Sequence, residues 1–61
     1  MRKYQIVEEY DEKIVTTSTN SFDEMVLVYQ DQMNGTTRPA DRIKVYMECD
    51  GKYVLIVDKE L

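Results

Sequence analysis

The sequence contains no histidine and no tryptophan, and only one cysteine, one proline and two glycines occur among its 61 residues. Without histidine the chain has no imidazole for general base catalysis or for a Cys/His zinc site. The single thiol, Cys49, cannot form a disulfide within the chain, and no histidine is present to activate it as a nucleophile. We therefore expect a protein that is not an enzyme and that holds no cofactor and no metal.

Long apolar runs and an excess of basic charge are also missing. The longest apolar run, residues 53–57, is far shorter than the ~18 residues of a membrane-spanning helix, and the N-terminal residues lack a signal-peptide core. Twelve acidic and eight basic side chains give a net charge of −4, which disfavours general binding to nucleic acid or to anionic membranes. We expect a single small domain, 1–61, in the reducing cytoplasm.

The first part of the chain predicts a β-hairpin. Residues 4–10 alternate in part between apolar and polar side chains, and residues 13–19 are rich in β-branched side chains. A two-residue turn at 11–12 would place Ile6 opposite Thr17. Because the second strand is polar on both faces, we expect it at an edge of the sheet.

The middle of the chain predicts one helix, Phe22–Met33. Ser21 and Glu24 have the spacing of a capping box, in which each side chain accepts a hydrogen bond from the other residue's backbone. Gly35 offers a left-handed stop. The predicted buried stripe, which spans about 100° of the helix, comprises Phe22, Met25, Val26, Tyr29 and Met33.

Strict alternation from Arg42 onward predicts a second hairpin around the turn 50–51, an Asp-Gly pair that favours a type I′ turn. That turn would pair Cys49 with Lys52, and extending the register would pair Val45 with Ile56. The predicted inward-facing side chains are Ile43, Val45, Met47, Cys49, Val54 and Ile56.

These elements predict an α+β fold of order ββαββ, with a four-stranded, mostly antiparallel sheet and one helix on one face. The last strand is apolar on both faces over residues 53–57, which is typical of a central strand. The predicted strand order is therefore 2-1-4-3, with strands 1 and 4 central and parallel. In the order and length of its elements the chain resembles a β-grasp domain of the protein G type, and the resemblance implies a β-grasp-like fold only.

Three groups of side chains are candidates for contact with a partner. A sheet-face patch, predicted on the side away from the helix, comprises Tyr46, Tyr53, Leu55 and Val57. An acidic hairpin surface comprises Glu8, Glu9, Asp11 and Glu12. A basic cluster comprises Arg38, Arg42 and Lys44. Apolar patches on an open sheet often mark interfaces, so we expect the sheet-face patch to bind a second copy, as a homodimer, or another protein.

The features together predict a small acidic, non-enzymatic binding protein that acts by occupying a partner protein's surface. In length, acidity and compact layout the chain resembles small proteins of phages and prophages, which implies an inhibitor or modulator of a host protein. One alternative is a nucleic-acid-binding accessory protein that uses the basic cluster and the tyrosines, although the net charge makes nucleic acid an unfavoured partner. Another is an acidic mimic of DNA that uses the acidic hairpin surface.

Overall fold

Two tight turns and one capped helix set the course of the chain, which a computed structural model describes for residues 1–35 and 39–61. The elements are β1 (Tyr4–Glu9), β2 (Ile14–Thr19), α1 (Phe22–Asn34), β3 (Arg42–Cys49) and β4 (Lys52–Glu60). They form one antiparallel four-stranded sheet with a single helix among the described residues, which confirms the α+β class and the ββαββ order.

The first hairpin has the register that a two-residue turn predicts. Ile6 lies opposite Thr17, and the Tyr10 backbone N–H donates to the Lys13 carbonyl at 2.9 Å. β2 lies at one edge of the sheet, as its polar sequence predicts. An edge strand has one strand neighbour and contributes less to the core than a central strand, so threonine and serine can occupy most of β2.

The N-terminus of α1 is capped as predicted on one side only. The Ser21 side chain accepts a hydrogen bond from the Glu24 backbone N–H at 3.2 Å. The Glu24 carboxylate does not return the bond to Ser21; it accepts instead from the Thr19 hydroxyl at 3.0 Å. The same hydroxyl accepts from the Ser21 backbone N–H at 3.0 Å. The last residue of β2 therefore takes over half of the capping box and fixes the strand-to-helix turn.

The buried face of α1 is rotated relative to the predicted stripe. Met25 and Gln32 are the buried residues of the helix, and Tyr29 packs against the core beside them. Phe22 and Met33, at the two ends of the predicted stripe, are 58% and 39% exposed. The rotation turns Gln32, a polar residue, toward the sheet. The helix ends at Asn34, where Gly35 takes the predicted left-handed conformation with φ 65°.

The second hairpin is confirmed at its turn and shifted beyond it. Asp50 and Gly51 both have positive φ, as a type I′ turn requires, and Cys49 pairs with Lys52. A β-bulge then leaves Ile56 as an extra residue on β4. Residues 52–55, before the bulge, keep the faces that strict alternation predicts, whereas the residues after it face the opposite sides.

The bulge decides which residue of β4 reaches the core. Val45 pairs with Val57, and the predicted pairing of Val45 with Ile56 is wrong. Val57 consequently lies on the helix side of the sheet and packs against the core. Its place in the predicted sheet-face patch is wrong for the same reason.

The strand order is β2-β1-β3-β4, and the predicted order 2-1-4-3 with parallel central strands is wrong. β1 pairs antiparallel with β3, so Ile6 lies opposite Val45, and both side chains are fully buried. The described sheet has no parallel pair, and the β-grasp-like arrangement is not confirmed. β3 takes the central place because its alternation gives one wholly apolar face for the core, whereas the apolar residues of β4 are divided between two faces.

The core lies between the helix and the central strands. Its buried members are Ile6, Met25, Ile43 and Val45, with Ala40 buried beside them. The helix packs chiefly on β1 and β2, at the opposite side of the sheet from β4. The side of β4 that faces the helix layer is therefore covered only in part.

Candidate interaction surface at the β4 edge

β4 forms an edge of the sheet and has β3 as its one strand neighbour within residues 1–35 and 39–61. An edge strand presents alternate backbone N–H and C=O groups that no neighbouring strand satisfies. Val54, Leu55 and Ile56, at its centre, are 47%, 46% and 46% exposed. The longest strand of the described chain thus combines unpaired backbone groups with a row of half-exposed apolar side chains.

The exposed apolar side chains of β4 lie on both faces of the sheet. Leu55 pairs with Tyr46 on the face away from the helix, and Val54 pairs with Met47 on the helix side. The sequence predicted the exposure on one face, because the predicted strand order put β4 at the centre of the sheet under the helix, whereas β4 is an edge strand and the helix packs chiefly on β1 and β2. The apolar surface therefore follows the strand and its edge instead of covering one side of the sheet.

Three members of the predicted sheet-face patch, Tyr46, Tyr53 and Leu55, do lie on the face away from the helix. The tyrosines are half-buried, and the Tyr53 hydroxyl donates to the Arg2 carbonyl at 2.8 Å. This hydrogen bond ties β4 to the segment before β1 across the end of the sheet. Among the three, Leu55 is the one half-exposed aliphatic side chain.

The described part of the basic cluster is held in ion pairs on the face away from the helix. Arg42 Nη1 lies 2.6 Å from Asp58 Oδ1, and Lys44 Nζ lies 3.1 Å from Glu9 Oε2. The hydrogen bond to Asp58 raises the pKa of Arg42, and the hydrogen bond to Glu9 raises the pKa of Lys44. Both cations are therefore partly neutralised by carboxylates of this chain. The third predicted member, Arg38, lies outside the described residues.

The predicted acidic hairpin surface is smaller than its sequence suggests. Glu8 is only 8% exposed and faces the helix, so its place in that surface is wrong. Glu9 points to the other face and pairs with Lys44. Asp11 and Glu12 remain exposed at the turn of the first hairpin. The alternation of β1 separates Glu8 from Glu9, because successive side chains of a strand point to opposite faces.

A buried polar cluster, which the sequence did not predict, joins the helix to β1 and to the segment before β3. The Gln32 side-chain amide donates to the Glu8 carboxylate and, at 3.2 Å, to the Tyr10 hydroxyl. Its carbonyl oxygen accepts from the Ala40 backbone N–H at 2.8 Å. In the described structure every buried side-chain polar atom has a hydrogen-bond partner. The cluster therefore has all of its buried polar atoms hydrogen-bonded, and it holds the helix against β1. Its only signal in the sequence is that Gln32 follows Met25 by seven residues and so lies on the same face of the helix.

Two kinds of site are not found in the part of the chain that the structure describes. None of its helices combines the length and apolarity that crossing a bilayer requires. None of its acidic or cysteine side chains gather into a group of three or more that could hold a metal ion.

No protein-family model matches the chain, and neither the curated proteins nor the solved structures contain a significant match.

Proposed function

We propose that the protein is a small acidic binding protein, without enzymatic activity, that occupies the surface of a partner protein in the cytoplasm. The observation that carries the proposal is the half-exposed row of Val54, Leu55 and Ile56 on an edge strand. Contiguous exposed apolar side chains are characteristic of interaction surfaces in small soluble domains. The small size and the net charge of −4 support a role as an inhibitor or modulator, as in the phage-type proteins that the chain resembles.

The alternative functions have weaker support from the charged side chains. Nucleic-acid binding would need free cations, whereas Arg42 and Lys44 are already paired with carboxylates. Mimicry of DNA would need a dense acidic surface, whereas Glu8 is buried and Glu9 pairs with a lysine. The apolar strand is consequently a better candidate contact than either charged group.

The proposal is tested by affinity capture from a lysate of the source cells, with partners identified by mass spectrometry. The baits are the tagged wild type, Leu55→Asp on β4, and Leu27→Asp as a matched control on the helix, where the leucine is 60% exposed. We expect a stoichiometric protein partner that the wild type and Leu27→Asp retain and Leu55→Asp loses.

Two results would contradict the proposal. One is a set of captured proteins that Leu55→Asp retains as well as the wild type does. The other is recovery of nucleic acid that dissociates steeply as salt rises, which would favour the nucleic-acid alternative.

A further inference from the structure

The exposed parts of β4 set requirements for whatever covers them. Its free backbone edge is satisfied best by another extended strand, which continues the hydrogen-bonded ladder. Val54 and Leu55 lie on opposite faces of the sheet, so a flat surface laid on one face would cover only one of them. A strand paired with the edge places its own side chains beside both.

One strand of the chain itself meets these requirements. β4 is apolar on both faces over residues 53–57, so a second β4 would place apolar side chains beside Val54 on one face and Leu55 on the other. β2, the other edge, is composed mainly of threonine and serine and offers no such pairing. The best-matched partner strand for β4 among the described strands is thus β4 of a second copy.

Charge also favours self-pairing through this strand. The whole chain has a net charge of −4, but β4 carries two lysines, Lys52 and Lys59, and its two acids, Asp58 and Glu60, both form ion pairs with Arg42 of β3. Two such strands can approach without the repulsion that other surfaces of the chain would create. A two-fold axis perpendicular to the sheet makes the two β4 strands antiparallel, which is the pairing of every described pair of neighbouring strands.

We propose that two copies of the chain pair antiparallel through β4 and form one continuous sheet across a two-fold axis. The proposal rests on the proposed role of β4 as a contact surface, and it moves the predicted homodimer from the sheet face to the sheet edge. The second copy would take the backbone edge of β4, and the two faces of the joined sheet would remain for a partner protein. The two-fold pairing uses the apolar edge of both copies, and the polar β2 edges remain at the ends of the joined sheet. The assembly therefore closes at two chains instead of growing into a fibre.

The test is the mass in solution, measured by sedimentation equilibrium from about micromolar to about millimolar concentration. We expect the wild type to reach twice the 7.2 kDa of one chain. Val54→Asp and Leu55→Asp, on opposite faces, should each raise the dimer dissociation constant by roughly a hundredfold, because each places a charge at the interface between the two β4 strands. Ile14→Asp, a matched change on the exposed β2 edge, should leave the constant unchanged.

Amide hydrogen exchange of the wild type adds a readout that needs no substitution. The β4 amides that face away from β3 should become protected as the protein concentration rises. Circular dichroism confirms that each variant is folded.

A wild type that stays monomeric near millimolar concentration overturns the proposal. A dimer that Leu55→Asp breaks and Val54→Asp spares also overturns it, because that result indicates pairing through the sheet face. A monomer that still captures a partner refutes the dimer alone, and a dimer that captures none refutes only the proposed function.

Discussion

Replacing Gln32 should destabilise the fold more than any exposed substitution of the same kind. Gln32→Leu keeps most of the side-chain volume but removes the acceptor of the buried Ala40 N–H and a donor to the buried Glu8 carboxylate. A buried polar group that loses its partner costs about 1–3 kcal/mol, and a charged group costs more. We expect a loss of about 3 kcal/mol in the free energy of unfolding.

That loss is large for a chain of this size. At about 0.05–0.15 kcal/mol per residue, a domain of this length has a total stability of roughly 3–9 kcal/mol. Urea unfolding followed by circular dichroism measures the change in the free energy of unfolding. It is obtained from the shift in the urea concentration at half unfolding, provided that the dependence of the free energy on urea is the same in both proteins. The matched control is Gln30→Leu, an exposed glutamine of the same helix, which should change stability by less than about 0.5 kcal/mol.

A double-mutant cycle isolates the bond between the helix and β1. Glu8→Leu combined with Gln32→Leu should cost at least about 1 kcal/mol less than the sum of the single variants, because the pair leaves no carboxylate unsatisfied. A stability of Gln32→Leu within about 0.5 kcal/mol of the wild type would refute the reasoning, because it would mean that the buried polar cluster adds nothing.

Three further predictions concern the helix ends and the ion pairs. Ser21→Ala, which removes the side-chain cap of α1, should lower the free energy of unfolding by about 1 kcal/mol in the same urea assay, and an unchanged midpoint would count against the cap. Gly35→Ala should cost about 1–2 kcal/mol at its left-handed φ of 65°, even though no atom of the described residues beyond its chain neighbours lies within 4 Å of the added methyl group, and a neutral effect would contradict the strain argument. Lys44 has its pKa raised by Glu9, so its contribution to stability is present below the ordinary lysine pKa of 10.5 and is lost as the pH rises through the higher folded value. The difference in urea midpoint between wild type and Lys44→Met should therefore shrink above pH 10.5, and a constant difference would refute the assignment.

The local elements were predictable because their signals lie within a few residues of one another. The Ser21 cap, the Gly35 stop and the Asp50-Gly51 turn each depend on backbone conformations that few residue types favour. The register of the first hairpin followed from the length of its turn. These features survive in any arrangement of the strands, so the sequence alone was sufficient to place them.

The strand order was not predictable, because it depends on competition between distant segments. Residues 53–57 are the most apolar stretch of the chain, and a central position would have buried both faces. The fold instead centres β3, whose Ile43 and Val45 put one apolar face under the helix. Neither the sequence of β3 nor that of β4 shows by itself which of the two arrangements fills the shared core better.

The candidate surface was predicted in its composition and missed in its geometry. Leu55 and Tyr46 lie together on the expected face, but the bulge at Ile56 moved Val57 into the core. An inserted residue in a uniformly apolar strand changes no local preference, so alternation gave the wrong face from that point onward. Gln32 was missed for a related reason, since burial of a glutamine depends on the partners that the rest of the fold brings to it.

The pairing of β1 with β3 has a consequence for how the chain folds. Each hairpin joins neighbouring segments, whereas the pairing of β1 with β3 joins the two hairpins, which are far apart in the sequence, with Ile6 against Val45 at the centre. The fully buried side chains are shared across this junction, so neither hairpin completes a core alone. The two hairpins should therefore become ordered together in a single cooperative step, whose rate is set by closing the long segment between β1 and β3.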